Sequence, residues 1–370
     1  MYLKDLVDIQ MGQSPDSKFY NNDKIGLPFY QGKADFGRIN PIPKIWCSKS
    51  KKEAKPNDIL ISVRAPVGDL NINNEQSCIG RGLAAITCKS DVDMMYLYYH
   101  LKYLKPQLKH ISTGSTFESI NRSQLENLII DYKPYFEQIK ISNILQVVQR
   151  QIEVREKLLR LYDLLIKSRF DEFNKNNNNV KVSKLEALCT SIVRGPFGSA
   201  LKVENFVKKS DTSVKVYEQS NAIQKSAAIG SRYISREHYE SLKRFKCKPG
   251  DIIMSCSGTI GKLFILPSDA EEGIINQALC KFTLGKILLP EIFLLYMDIL
   301  IGNIETKGSG IKNISAVKFI KNLEIPVPPI GAQNKLLFEL NQINKLKSDV
   351  QKSIDETQLL MDSLMQEYFG

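Results

Sequence analysis

The sequence predicts an α+β protein built by internal duplication: two mixed α/β globular parts, each followed by one long α-helix. The two helices are expected to pair as an antiparallel coiled coil about an approximate two-fold axis. Three anchors carry the duplication. KPNDILIS at 55–62 matches KPGDIIMS at 248–255 at five of eight positions. STGSTFESI at 112–120 answers TKGSGIKNI at 306–314. YKPYFEQ at 132–138 answers PVPPIGAQ at 326–333, aligning Pro134 with Pro329 and Gln138 with Gln333. The offset drifts only from 193 to 195, and a period of half the chain means a duplicated domain rather than a solenoid.

The first globular part (1–133) and the second (180–328) are built of short β-branched and aromatic runs punctuated by Gly, Pro and Asn. ILISV at 59–63 and IIMSC at 252–256 read as strands entering tight turns at Gly68 and at Gly258 and Gly261. DMMYLYYHLKYLKPQL at 93–108 and EIFLLYMDILIGNI at 291–304 read as one helix in each part. From Phe136 to Phe173 there is neither Gly nor Pro, and a 4-3 seam runs Ile141, Leu145, Val148, Ile152, Arg155, Leu159, Tyr162, Ile166, Arg169, Phe173. Its counterpart runs Leu336, Leu340, Ile343, Lys347, Val350, Ile354, Thr357, Met361, Leu364, Tyr368. A seam kept over about five heptads argues for a coiled coil, each helix roughly 55 Å long. The spacer helices are placed at 134–173 and 329–370, entered through prolines, and the polar tract 174–179 is read as the linker between repeats.

The 370 residues carry 51 Lys+Arg against 40 Asp+Glu, a net charge of +11 that favours an acidic partner such as nucleic acid. Seven cysteines, odd in number and without a C-x-x-C, and three histidines assemble no zinc spacing and fit a reducing compartment. The opening MYLKDLVD has no export segment, and the most apolar stretch, 287–301, is broken by Pro290, Glu291 and Asp298 and too short to span a bilayer. A cytoplasmic protein without a membrane partner is expected. GTIGK at 258–262 lacks the spacing of a phosphate loop, and GSGIKN at 308–313 ends in Asn313 where G-x-G-x-x-G needs Gly. DYKPY at 131–135 has the wrong internal residues for the D-P-P-Y loop of amino-methyltransferases and reads as a helix-entry linker. No catalytic residues and no metal site are assigned.

Two globular parts, each followed by a long helix entered through Pro-x3-Gln, resemble the specificity subunit of type I restriction–modification systems. The resemblance covers 1–173 and 180–370 and rests on KPNDILIS with KPGDIIMS, the Gly-Ser elements at 114–115 and 308–309, and LEIPVPPIGAQ at 323–333. LIIDYKPYFEQ at 128–138 lacks one of the prolines. The resemblance implies two target recognition domains, each reading half of a bipartite site on double-stranded DNA, in a subunit without catalysis of its own. It also implies helices that space the domains and dock two adenine methyltransferase subunits, with a motor-nuclease subunit completing the restriction enzyme. No cofactor is expected on this chain; S-adenosylmethionine belongs to the methyltransferase. The alternative is a stand-alone sequence-specific DNA-binding regulator, but no compact helix-turn-helix module is visible.

Base readout needs Arg, Lys, Asn or Gln near glycine-rich turns. The candidates in the first part are Gln31, Lys33, Arg38, Arg64, Arg81, Ser115 and Thr116. Those in the second are Arg194, Ser199, Lys202, Gln219, Asn221, Arg232, Tyr233, Ser309 and Lys312. The anchors match between repeats while 13–50 and 196–246 do not, so the two halves should read different sequences and the site should be asymmetric. Half-sites about one helical turn apart are expected, and inserting four residues near both Leu159 and Ile354 should lengthen the spacer.

Overall fold

A computed structural model describes residues 1–112, 118–177, 180–306 and 317–370. The chain divides into two compact units, 1–161 with 348–370, and 162–347.

In the first unit a four-stranded antiparallel sheet has the order Val7–Met11, Leu83–Cys88, Ile59–Ser62, Leu70–Ile72. A five-stranded sheet has the order Tyr20–Asn21, Trp46–Cys47, Leu27–Tyr30, Ser77–Ile79, Glu53–Ala54, with one parallel pair, Leu27–Tyr30 beside Ser77–Ile79. The second unit repeats both orders. Its four-stranded sheet runs Cys189–Arg194, Leu279–Leu284, Ile252–Ser255, Leu263–Ile265. Its five-stranded sheet runs Phe206–Val207, Tyr233–Ser235, Ser213–Tyr217, Gly273–Ile275, Lys246–Cys247, again with one parallel pair in the same place. The duplication read from three short anchors thus extends to every strand of these sheets.

The anchors KPNDILIS and KPGDIIMS are alike because each starts a strand with the same turn. Asp58 accepts from the Lys55 N–H at 2.7 Å and the Thr87 hydroxyl at 2.7 Å. Asp251 accepts from the Lys248 N–H at 3.0 Å and the Thr283 hydroxyl at 2.5 Å. Asn57 and Gly250, the one position of the turn that differs, both have positive φ, where Gly and Asn are tolerated. The strands that follow are buried at every residue, which is why they read as unbroken apolar runs.

The long helices span Tyr135–Asn176 and Ile330–Phe369. In the first unit Ile141, Leu145 and Val148, early in one helix, pack with Met361, Met365 and Phe369 at the end of the other. In the second unit Phe170 and Phe173, late in the first helix, pack with Leu336, Leu340 and Ile343, early in the second. Within each unit the pairing is therefore antiparallel. Of the seam, Leu145, Val148, Ile152, Leu340, Ile343 and Ile354 are buried, whereas Leu159, Tyr162, Val350 and Leu364 are half-buried.

Five sequence expectations are corrected. Phe170, not Arg169, faces the core: from Tyr162 through Ile166 and Phe170 to Phe173 the spacing is 4-4-3, so the strict 4-3 alternation breaks there. Met365 and Phe369 join the seam because the last turns also meet Tyr96 and Tyr99 of the globular part. The first helix runs three residues into the asparagine tract: Asn174 accepts from the Tyr296 hydroxyl at 2.8 Å, and the Asn177 amide closes the end on the Phe173 carbonyl. The expected helix over 93–108 is two, Met94–Tyr103 and Lys105–Ile111, since Pro106 supplies no N–H to continue the first. Short helices such as Leu3–Leu6 and Leu185–Leu188 also add to the one helix expected in each part.

Candidate nucleic-acid interface

In the first unit three loops converge because the strands before them are paired. Leu27–Tyr30 and Ser77–Ile79 are parallel, so Gln31 and Arg81 leave the sheet in the same direction. The Gly80 N–H donates to the Tyr30 carbonyl at 2.8 Å. The Val63 N–H donates to the Gly82 carbonyl at 2.9 Å, which brings Arg64 to the same edge. Only glycine permits this approach at position 82, where a Cβ would stand 2.3 Å from the Gln31 carbonyl oxygen.

Together the loops enclose a cleft of about 800 Å³ whose lining includes Ser14, Gln31, Lys33, Arg64 and Arg81. Four of the seven first-part candidates thus meet at one place. Lys33 and Lys105 pair with Asp69 at 2.9 Å and 2.6 Å. Burial works to raise the Asp69 carboxyl, but hydrogen bonds from Lys105 and Lys33 outweigh it and hold it below its ordinary value. Arg64 and Arg81 are exposed, and neither guanidinium meets a carboxylate among the described residues. The cleft therefore offers two guanidiniums without an ion pair and an exposed amide, beside the paired Lys33 ammonium and Asp35, whose carboxylate accepts from the Gln31 and Gly32 N–H groups, a set suited to phosphate oxygens and base edges. Arg38 is employed differently: it pairs with Glu156 at 2.8 Å and Glu153 at 3.5 Å, fastening its loop to the first long helix.

The second unit has the same hydrogen-bond frame. The Asn276 N–H donates to the Tyr217 carbonyl at 3.0 Å and the Cys256 N–H to the Ala278 carbonyl at 2.7 Å. The Gly12 N–H donates to Leu83 and the Gly195 N–H to Leu279, both at 2.9 Å. At both glycines an added Cβ would strike backbone, the Gly80 oxygen at 2.2 Å and the Asn276 oxygen at 1.8 Å. This frame aligns Arg64 with Ser257, Arg81 with Gln277, and Gly32 with Gln219. Ser257 and Gln277 are exposed, while Gln219 is half-buried with an Oε1 that meets no hydrogen-bond donor among the described residues.

Several second-part candidates sit elsewhere. Asn221 is fully buried: its Oδ1 accepts from the Glu218 N–H, and its amide donates to the Ser226 and Ile229 carbonyls. Tyr233 is also buried, at the start of the strand Tyr233–Ser235 of the five-stranded sheet. Both build the fold rather than present a group to a ligand. Arg194 donates to the Gln277 and Cys256 carbonyls at 3.1 Å and 3.4 Å, bracing the loops from beneath. Arg232 pairs with Glu218 at 2.7 Å, and Lys202 with Glu204 at 3.4 Å. The Ser199 side chain, Ser115, Thr116, Ser309 and Lys312 lie outside the described residues. Ser14, Ser257 and Gln277 were missed by sequence reasoning; only a strand-by-strand alignment of the repeats would find the last two.

Among the described residues no group of three or more His, Cys, Asp or Glu is placed to hold a metal, and no helix is long and apolar enough to cross a membrane.

The family model of the type I restriction modification DNA specificity domain matches twice, over residues 1–160 and 177–357. A Methanocaldococcus jannaschii protein provisionally named as the type I restriction enzyme MjaX specificity subunit is 45% identical over 150 residues, 40% of this chain and 35% of that protein. The type I restriction enzyme MjaIX specificity subunit of the same organism is 28% identical over 222 residues, 55% of this chain and 51% of that protein. The matches thus span about a third to a half of those relatives. The crystal structure of a type I restriction–modification system S subunit from M. genitalium superposes over 100% of this chain and 95% of that one, with a TM-score of 0.56 at 14% identity, a likeness of fold.

Proposed function

The chain belongs to the type I restriction modification DNA specificity family, and from that premise we propose that it is the DNA-reading subunit of a type I restriction–modification complex. Each unit reads one half of a bipartite, asymmetric site on double-stranded DNA. The observation that carries this reading is the convergence of Gln31, Lys33, Arg64 and Arg81 on one cleft. Phosphate contacts from such cations fix register, while base-edge contacts specify sequence. The divergence between the two loop clusters supports an asymmetric target.

In this reading the chain supplies selection and its partners supply chemistry. Two methyltransferase subunits dock on it and hold S-adenosylmethionine, and a motor-nuclease subunit completes the restriction form. On the first long helix Val147, Val154 and Leu161 recur every seven residues and are 60%, 58% and 50% exposed. That apolar stripe, outside the seam, is suited to receive a methyltransferase subunit.

The test is modification-sensitive sequencing of DNA from cells expressing this chain with the methyltransferase encoded beside it, against that methyltransferase alone. Methyladenine at a split, asymmetric motif is expected only when this chain is present. No new methylation, with a methyltransferase active alongside another specificity subunit, would refute the proposal in favour of a stand-alone DNA binder.

A further inference from the structure

The two loop clusters share one backbone frame but present different chemistry, and this carries an inference that rests on the DNA-reading role proposed above. In the first unit the positions aligned with Ser257 and Gln277 are Arg64 and Arg81. In the second, Arg232 is paired with Glu218, Lys202 with Glu204, and Arg194 with two backbone carbonyls. The positions that the shared frame defines there, Gln219, Gln277 and Ser257, carry two carboxamides and a hydroxyl.

We propose that the first unit selects guanine-containing base pairs through Arg64 and Arg81, and the second selects adenine-containing base pairs through Gln219 and Gln277. A guanidinium sets two parallel donors against the O6 and N7 acceptors of guanine. A carboxamide sets one donor and one acceptor against N7 and the N6 amino group of adenine. Neither Arg64 nor Arg81 forms an ion pair among the described residues. Gln219 is half-buried, and its Oε1 is closed to solvent with no hydrogen-bond donor among the described residues, a costly state for an acceptor. Turned outward, the carboxamide would satisfy that oxygen on an adenine amino group. Gly258, at φ +58°, lies beside this amide: a Cβ there would stand in ordinary contact with it, 3.7 Å from Oε1.

The experiment is selection of the full-length chain on a pool of random-sequence duplexes at fixed salt, comparing wild type with Arg81→Gln and Gln277→Arg. Wild type should enrich a split motif with guanine specified in one half and adenine in the other. Arg81→Gln should move the preference at a position of the first half from guanine to adenine, leaving the second half unchanged. Gln277→Arg should do the reverse. Discrimination at the affected pair should change roughly 5- to 150-fold, the worth of one bidentate contact.

Retained selectivity at the untouched half reports that the variant is folded. A variant that loses both halves is replaced by Arg64→Gln or Gln219→Ala, which should relax the guanine and adenine preferences respectively. Uniformly weaker binding with an unaltered motif would overturn the assignment, making these side chains phosphate anchors. An unaltered motif at unaltered affinity would overturn it as well. If wild type enriches no motif at all, the DNA-reading role itself fails.

Discussion

At the residue scale, Gln138 and Gln333 show why a Pro-x3-Gln element recurs. Both are fully buried, and each holds the entry of a long helix to its own globular part. The Asp93 N–H donates to Gln138 Oε1, and Gln138 Nε2 donates to the Asp91 and Lys133 carbonyls. Gln333 repeats this with the Leu289 N–H and the Ile287 and Pro328 carbonyls. Replacement by Ala orphans one buried donor and two acceptors, at roughly 1–3 kcal/mol for each group water cannot reach. Gln138→Ala should therefore lower hydrogen-exchange protection of the strand Leu83–Cys88 and leave Leu279–Leu284 unchanged, and Gln333→Ala should do the opposite. Equal protection in both strands of either variant would refute the role. His100 is the second telling residue. It is buried and stacked on Phe369 with ring centroids 4.7 Å apart, and its Nδ1 has no partner among the described residues. Burial pushes its pKa from 6.5 down to about 4, with Asp131 pulling up and Lys133 and the N-terminus pressing further down. Between those values the unfolded imidazole takes up a proton that the folded one refuses. The stability held by neutral His100 is thus fully present above pH 6.5 and is lost as pH falls toward 4. The stability of wild type relative to His100→Leu should therefore decline over that window in denaturant titrations. A constant difference would contradict it.

At the element scale the long helices were the most legible part, because a seam repeated over several heptads leaves few alternatives. The reading failed where an element meets something other than its partner helix. Met365 and Phe369 are buried by Tyr96 and Tyr99, and Asn174 is held by Tyr296, neither of which a helical period can reveal. The short strands of the five-stranded sheets were not legible individually, since two-residue strands such as Trp46–Cys47 carry no periodicity. Seam and surface can be separated by experiment. Leu145 is fully buried in the cluster with Met361 and Met365, so Leu145→Ala should cost about 2–5 kcal/mol in unfolding free energy. Val147, two residues on and 60% exposed, should change stability by less than about 0.5 kcal/mol when cut to Ala. Comparable costs at the two positions would mean that the seam is misplaced.

At the scale of the whole molecule, duplication was readable where both copies need the same turn, as at Asp58 and Asp251, and unreadable where the copies have diverged. The candidate interface lies in that divergent part. Gln31, Lys33, Arg64 and Arg81 could be nominated because cations and amides beside glycines are conspicuous. Gln277 could not, since its position is defined by backbone hydrogen bonds rather than by neighbouring letters. The chain passes from one unit to the other twice, at 161–162 and at 347–348, each time inside a long helix. If those helices set the distance between half-sites, lengthening both at the crossings must lengthen the unspecified part of the target. Seven residues are the better insertion than four, because a whole heptad keeps the seam in phase whereas four introduce a stutter. Seven residues add roughly 10 Å of helix, or about three base pairs at 3.4 Å each. With insertions at both crossings, the methylated motif should keep both halves and gain about three unspecified base pairs. An unchanged spacer, with methylation retained, would show that something other than helix length sets the gap.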